Sequence, residues 1–272
     1  MTRTRSCTAL VLAAAICATL SAQIVPDAYQ GTDIEQFLTT AGVKSKKPVG
    51  DGITKPEKVT LELNRVEHFA IFKTIDVNGT GIVKAELGGN APNFQDSWRT
   101  EVAAYVIDRM IGLNMVPATI ARTIDKKPGS LQWWVDGTRT DSARQQAGEM
   151  SVPDPDAWDR ARCKMYVFDN LIYNTDRNPT NILVTRDYQL LLIDHSRAFR
   201  PVTALKDAAQ LTRFWKPLLD ALPPLTAQDL NARVGLYLSA AQIAAIIERR
   251  DALVAHANKI IAERGEAAAV YR

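Results

Sequence analysis

Apolar and polar positions change period several times along this chain, and each change marks an element. Phe69, Ile71, Lys73 and Ile75 fall on one face of an alternating run, which predicts a strand over 68–76. Similar patterns predict strands near 57–63 and 116–123, and another from Gly129 to Gly137. Between them, Trp98, Val102, Tyr105, Val106 and Met110 recur at helical spacing. They predict a helix over 97–111, with Asp96 or Ser97 as its cap and Gly112 at its end. Trp158, Ala161, Met165, Phe168 and Ile172 place a second amphipathic helix from about Asp156 to Tyr173. Ile182–Thr185 and Gln189–Ile193 read as two short buried strands around an Arg186-Asp187-Tyr188 turn. Helical segments follow near 203–221 and 226–238. A last helix opens on the capping box Ser239-Ala240-Ala241-Gln242 and runs to about Glu263. Residues 138–156, with Pro153 and Pro155, read as loop-rich. Ahead of everything, 23–47 reads as a polar lead-in with a short helix over 32–41, and Lys44-Ser45-Lys46-Lys47-Pro48 as a solvated linker. The order of elements predicts a two-lobed α+β fold: a small mixed lobe over 48–137, a mainly helical lobe over 138–272, and a cleft between them.

Several polar residues break the pattern where a charge is expensive. Lys73 sits on an apolar strand face, and Glu101 lies in or beside the apolar stripe of the 97–111 helix. Pairing the two is the economical solution. Downstream, Asp176 precedes Asn181 by five residues, and the hairpin returns the chain to Asp194 beside Asn181. A carboxylate and an amide oxygen side by side suit a hard divalent ion that carries phosphates. Asp176, on the preceding loop, is placed to act as base toward a hydroxyl. D-x-x-x-x-N with a second Asp on a following strand is the spacing of kinase-type phosphoryl transfer.

Four ordered blocks carry a resemblance: Ala70-Ile71-Phe72-Lys73; Glu101-Val102-Ala103-Ala104-Tyr105 continuing to Leu113-Asn114-Met115-Val116-Pro117; Phe168-Asp169-Asn170-Leu171-Ile172-Tyr173-Asn174-Thr175-Asp176-Arg177; and Ile193-Asp194-His195. Over roughly residues 47–200 they resemble the phosphatidylinositol 3-/4-kinase-like branch of atypical kinases, and are similar to secretory-pathway protein kinases related to Golgi casein kinase. The resemblance implies a protein-kinase-like fold and an ATP- and Mg²⁺- or Mn²⁺-dependent phosphotransferase. It puts Lys73 on the nucleotide phosphates, Glu101 on Lys73 or on metal, Asp176 in the catalytic position, and Asn181 and Asp194 on metal. Backbone groups near Trp134 and Val135 would meet the adenine. Two features depart from the pattern. No G-x-G-x-x-G loop is present, only Val49-Gly50-Asp51-Gly52-Ile53, and no activation segment or substrate-docking region is recognisable after Asp194. The acceptor, a hydroxyl on protein, lipid, sugar or small molecule, is therefore open. So are two other readings of the same cradle, nucleotidyl transfer of AMP and a non-catalytic binding module.

Composition is that of a globular protein, with 46% hydrophobic and 23% charged residues. Arg3 and Arg5 precede the apolar run Ala9–Leu20 and then Ser21-Ala22-Gln23, which predicts a secretory signal over 1–22 and an exported product, periplasmic or extracellular. An uncleaved anchor is the alternative. Cys7 and Cys17 leave with the signal, so Cys163 stands alone and no internal disulfide is expected. Without Arg3 and Arg5, 31 basic side chains face 30 acidic ones. That balance gives no reason to invoke nucleic acid or an anionic membrane as partner. His68, His195 and His256 lack metal-ligand spacing, and His195 reads as structural.

Overall fold

Alternating burial builds the small lobe. A computed structural model describes residues 29–49, 56–78 and 95–272. Val59 and Leu61 on β2 (Glu57–Leu63), Ala70 and Phe72 on β3 (Val66–Lys73) and Leu131 on β7 (Lys127–Trp133) are buried on one face of a five-stranded antiparallel sheet. Its order is β1 (Gly42–Pro48), β2, β3, β7, β6 (Thr119–Ile124). α1 (Thr32–Thr40) and α2 (Trp98–Met110) cover it, burying Phe37, Leu38, Ala103, Ala104 and Ile107. Ser97 caps α2 by accepting from the Arg99 amide at 3.2 Å. A two-stranded ribbon, β4 (Asp76–Asn78) with β5 (Gln95–Ser97), precedes that cap.

The large lobe follows β8 (Arg139–Thr140) and α3 (Asp141–Gln146). α4 (Pro155–Leu171) starts at Asp154, whose carboxylate accepts from the Ala157 amide, and delivers the loop that carries Asp176. β9 (Ile182–Val184) and β10 (Leu190–Leu192) form the short hairpin, and β8 pairs with the other side of β9. β11 (Phe214–Trp215), α5 (Lys216–Ala221), α6 (Ala227–Val234), α7 (Ala240–Arg264), α8 (Glu266–Ala269) and β12 (Val270–Tyr271) complete it. The capping box at Ser239 and Gln242 is formed as expected.

Three expectations are corrected. Lys44–Pro48 is an edge strand, with Lys46 opposite Val59 and Pro48 opposite Glu57. Its charges read as linker because an edge is protected by lysines, here paired as Lys44–Glu62 at 2.6 Å and Lys46–Asp125 at 2.6 Å. Residues 138–156 hold β8 and α3 rather than loop alone. The helix expected over 203–221 is confined to α5. Ahead of it lie a 3-10 turn over Ala208–Gln210 and β11, and the segment is held by distant groups: the Asp207 amide donates to Asn170 Oδ1 at 3.1 Å, and the Leu211 carbonyl lies 3.0 Å from His256 Nε2. The expected signal over 1–22 and the Gly50–Gly52 loop lie outside the described residues. Among the described residues, no helix is long and apolar enough to cross a membrane.

Candidate active site

Lys73 ends β3 with its side chain turned toward α2. Its neighbour across the sheet is Ser130, and Gly129 beside it has no room for a side chain, which would strike the Lys73 carbonyl. Lys73 Nζ donates to Glu101 Oε1 at 2.5 Å and to Asp194 Oδ1 at 3.0 Å. Burial opposes the ammonium's charge, but the Glu101 and Asp194 carboxylates outweigh it and hold Lys73 above its ordinary range. Glu101 is 2% exposed, and its other oxygen, Oε2, accepts from the His195 amide at 2.9 Å. Burial would raise Glu101, yet the Lys73 charge and the His195 contact overcome it and keep the carboxyl below the usual carboxylate range. Asp194 adopts φ 58°, a left-handed conformation that Asp tolerates better than most residues, and its Oδ1 also accepts from Ser196 Oγ at 3.2 Å.

The segment after Asp194 is fastened to the start of α2. The Ser97 amide donates to the Ser196 carbonyl at 2.9 Å, and the Thr100 hydroxyl shares its proton between that carbonyl, at 3.0 Å, and the Ser97 carbonyl, at 2.7 Å. Gln95 donates to the Ala198 carbonyl, and Arg197 to Asp96 at 3.3 Å. Burial raises Asp96, which keeps Oδ1 without a partner among the described residues.

The Asp176 loop is held from below. Arg177, its side chain only 6% exposed although charged, forks onto Asp169 at 2.9 and 3.1 Å and donates to the carbonyls of Asn181 and Ile193. It also meets His195 Nε2 at 2.9 Å. Arginine only donates, so Nε2 accepts, and the neutral ring carries its proton on Nδ1, 3.8 Å from Glu101 Oε2. Burial first, with Arg177 beside it, holds His195 below its ordinary value. Asn174 donates to Asp169 and accepts from the Asp176 amide at 3.0 Å. The Asp176 carbonyl accepts from Asn178 and Asn181, at 3.0 and 2.9 Å. This leaves the Asp176 carboxylate turned outward, with Arg197 Nη1 3.8 Å away.

A cavity of about 360 Å³ opens in the cleft. Its lining joins Trp134 and Val135 to Lys73 and Asp194, with Ile71 and Leu183 among its apolar walls. That size and character suit a small organic ligand with a charged end. Lys73, Glu101 and Asp194 are in direct contact, and the Ile193 amide bonds the Asn181 carbonyl at 3.2 Å, so the hairpin sets Asn181 next to Asp194. Asp176 and Asn181 do not line the cavity; they flank it on the loop. The fit to a divalent ion rests on what those two side chains leave open. Asn181 commits its nitrogen to the Asp176 carbonyl, and its oxygen meets only the Thr180 hydroxyl, at a long 3.4 Å, a hydroxyl whose single proton goes to the closer Asn178 Oδ1; Asp194 Oδ2 has no hydrogen bond among the described residues. No group of three or more His, Cys, Asp or Glu residues among the described residues is arranged for a metal, so an ion here would take two protein ligands plus ligand oxygens.

Sequence reasoning missed Arg177, Asp169 and the Ser196 anchor. A charged pair eight residues apart, with Asp169 one step from the apolar Phe168 on the buried face of α4, was the available signal for the first two. Nothing in the pattern marks Ser196, because its backbone oxygen carries the contact.

The fold is that of the protein kinases. Golgi casein kinase is similar to this chain with a TM-score of 0.60 at 15% identity, over 86% of this chain and 77% of that one. The same kinase in a crystal structure with Mn/ADP bound gives a TM-score of 0.64 at 14% identity, over 88% and 78%. The Helicobacter pylori proinflammatory kinase CtkA gives 0.54 at 15% identity, over 83% of this chain and 98% of its own. No protein-family model matches the sequence, and no curated protein matches it by sequence. At these identities the likeness is one of fold: a two-lobed kinase-like chain with a small antiparallel sheet lobe and a mainly helical lobe.

Proposed function

We propose that this chain is an exported phosphotransferase of the atypical kinase type, using ATP and Mg²⁺ or Mn²⁺ to phosphorylate a hydroxyl acceptor. The observation that carries the reading is one ammonium, Lys73, shared between a buried helix carboxylate and Asp194 on the wall of an apolar cavity. That geometry keeps a fixed positive charge where nucleotide phosphates would lie while the base occupies the apolar end, against Trp134 and Val135. Asn181 and Asp194 would hold the ion, whose chemistry is to offset phosphate charge. The Asp176 carboxylate, facing outward from a loop tied down through its backbone, orients the acceptor hydroxyl and takes its proton. Arg177 and Asp169 fix the loop, so Asp176 does not have to be ordered by substrate. The Mn/ADP-bound kinase of the same fold supports the choice of nucleotide and ion. Export rests on the basic and apolar pattern of residues 3–22.

Incubation of the purified mature chain with manganese and ATP labelled at the γ- or the α-phosphate tests the reading. Transfer or release of γ-label alone is expected. Incorporated α-label would assign AMP transfer instead, and no binding of either nucleotide would assign a binding module. N-terminal sequencing of the exported chain is expected to start near Gln23.

A further inference from the structure

Gln132 is a buried polar residue on the wall of the cleft cavity, and its amide is held in one orientation. On β7 it lies opposite Ile71 on one side and Thr119 on the other. The Thr119 hydroxyl donates its only proton to the Pro117 carbonyl at 2.8 Å. Its oxygen must then act as acceptor toward Gln132, and the partner at 2.9 Å is Gln132 Nε2. The relay from Gln132 through Thr119 to Pro117 therefore sets the amide so that the carbonyl oxygen is its remaining polar end. That oxygen accepts no hydrogen bond among the described residues, and Gln132 is 9% exposed. Along the sheet, Ile71 and Lys73 are two residues apart on one face, so Gln132 stands roughly 7 Å from the phosphate-binding end.

We propose that Gln132 is the residue that selects the nucleobase: it accepts a hydrogen bond from an exocyclic amine, and so favours 6-amino purines over 6-oxo purines. This rests on the nucleotide-binding reading of the cleft. A 6-oxo base would set its carbonyl oxygen against Gln132 Oε1, leaving two acceptors facing each other in a site with little water. Flipping the amide does not relieve this freely. It would turn Oε1 onto Thr119, whose proton is already given to Pro117, and one bond of the relay would be lost. The selection is therefore limited to what one such bond is worth, roughly tenfold to a hundredfold in affinity.

The test compares binding of three triphosphates to the purified full chain with Mn²⁺: ATP, inosine triphosphate, and purine riboside triphosphate, which lacks the 6-substituent. Wild type is expected to bind them in the order ATP, purine riboside, inosine. Gln132→Met should bring the ATP-to-inosine ratio close to one. Thr119→Val leaves Gln132 in place but removes the acceptor that orients it, so it should relax the ratio in the same direction. Two variants with separate structural risks keep the test open if one fails to fold, as judged by its melting without ligand. Equal binding of ATP and inosine triphosphate by wild type would overturn the inference while leaving the phosphotransferase reading intact, and so would an unchanged ratio in either folded variant. No binding of any triphosphate by wild type would sink the underlying reading itself.

Discussion

Glu101 and Asp176 are two carboxylates on the same cleft, and the chain treats them in opposite ways. Glu101 is 2% exposed, with one oxygen on Lys73 and the other on the His195 amide. The Asp176 side chain is 36% exposed and bound through its backbone, while its oxygens face outward. The first is a structural joint between the lobes that also presents a charge. The second sits on a loop held by its backbone, and it is the carboxylate proposed above to act on the acceptor hydroxyl. Removing Glu101 should therefore be felt in the folding equilibrium, and removing Asp176 in turnover alone. The two kinds of residue can be told apart by which measurement moves.

The largest effect is expected at the exposed member. Asp176→Ala should lower phosphoryl transfer by ~10²–10⁴-fold, the usual contribution of a positioned base, with melting temperature and nucleotide affinity nearly unchanged. Transfer at the wild-type rate would remove Asp176 from the chemistry. A clear loss of stability would instead place its carboxylate in the fold and erase the contrast with Glu101.

Next comes the buried joint. Lys73→Met strands Glu101, which is 2% exposed, and should destabilise by ~3–5 kcal/mol, whereas Glu101→Gln leaves Lys73, 13% exposed, with Asp194 as its remaining partner and should cost less. The double change should recover part of that loss and remain inactive. A double-mutant cycle on unfolding free energy reads the coupling, and simple additivity would show that the contact contributes nothing.

This contact was legible because each partner breaks an apolar pattern, at Lys73 on a strand and Glu101 on a helix. The hairpin that sets Asn181 beside Asp194 was legible for the complementary reason: two short apolar runs around an Arg-Asp-Tyr turn allow little else. What could not be read is carried by backbone atoms or by surface charge. The fastening of Ser97 and Thr100 to the Ser196 carbonyl uses no side chain of Ser196. The lysines of β1 look like a linker, because an edge strand and a solvated segment favour the same composition. The stretch before α5 is held in part by groups far along the chain, Asn170 on the Asp207 amide and His256 beside the Leu211 carbonyl, which no local pattern marks.

A smaller effect is expected at Asp194, which lies between the two extremes with its side chain 37% exposed. ATP with Mn²⁺ should raise the melting temperature of wild type, because a ligand that binds only the native state stabilises it by mass action. Asp194→Ala should abolish most of that rise. Its effect without ligand should be modest, since Lys73 keeps Glu101 as partner. An equal ligand-induced rise in wild type and variant would separate Asp194 from the nucleotide site.

The smallest expected effect sharpens the comparison through pH. His195 is fully buried between Glu101 and Arg177, and burial holds it below the ordinary value of 6.5. In the unfolded chain it takes up a proton as pH falls through 6.5; in the native state it does not until lower. The unfolded state then binds more protons, so stability falls with decreasing pH from about 6.5 down to the native value. Glu101 stays ionised through this window because its own range is depressed, and Asp169 faces the ring already paired with Arg177. Asp108 works the other way: burial raises it to about 6, so the native state gains its proton first and stability rises as pH falls. The wild-type slope is a sum of opposing contributions, but the difference from His195→Gln isolates the histidine. That difference should reach at most about 1.4 kcal/mol per pH unit, the limit for one proton, and vanish above pH 7. Parallel curves of unfolding free energy between pH 5 and 8 would show that the imidazole titrates alike in both states, and the joint around Glu101 would then be wetter than its burial implies.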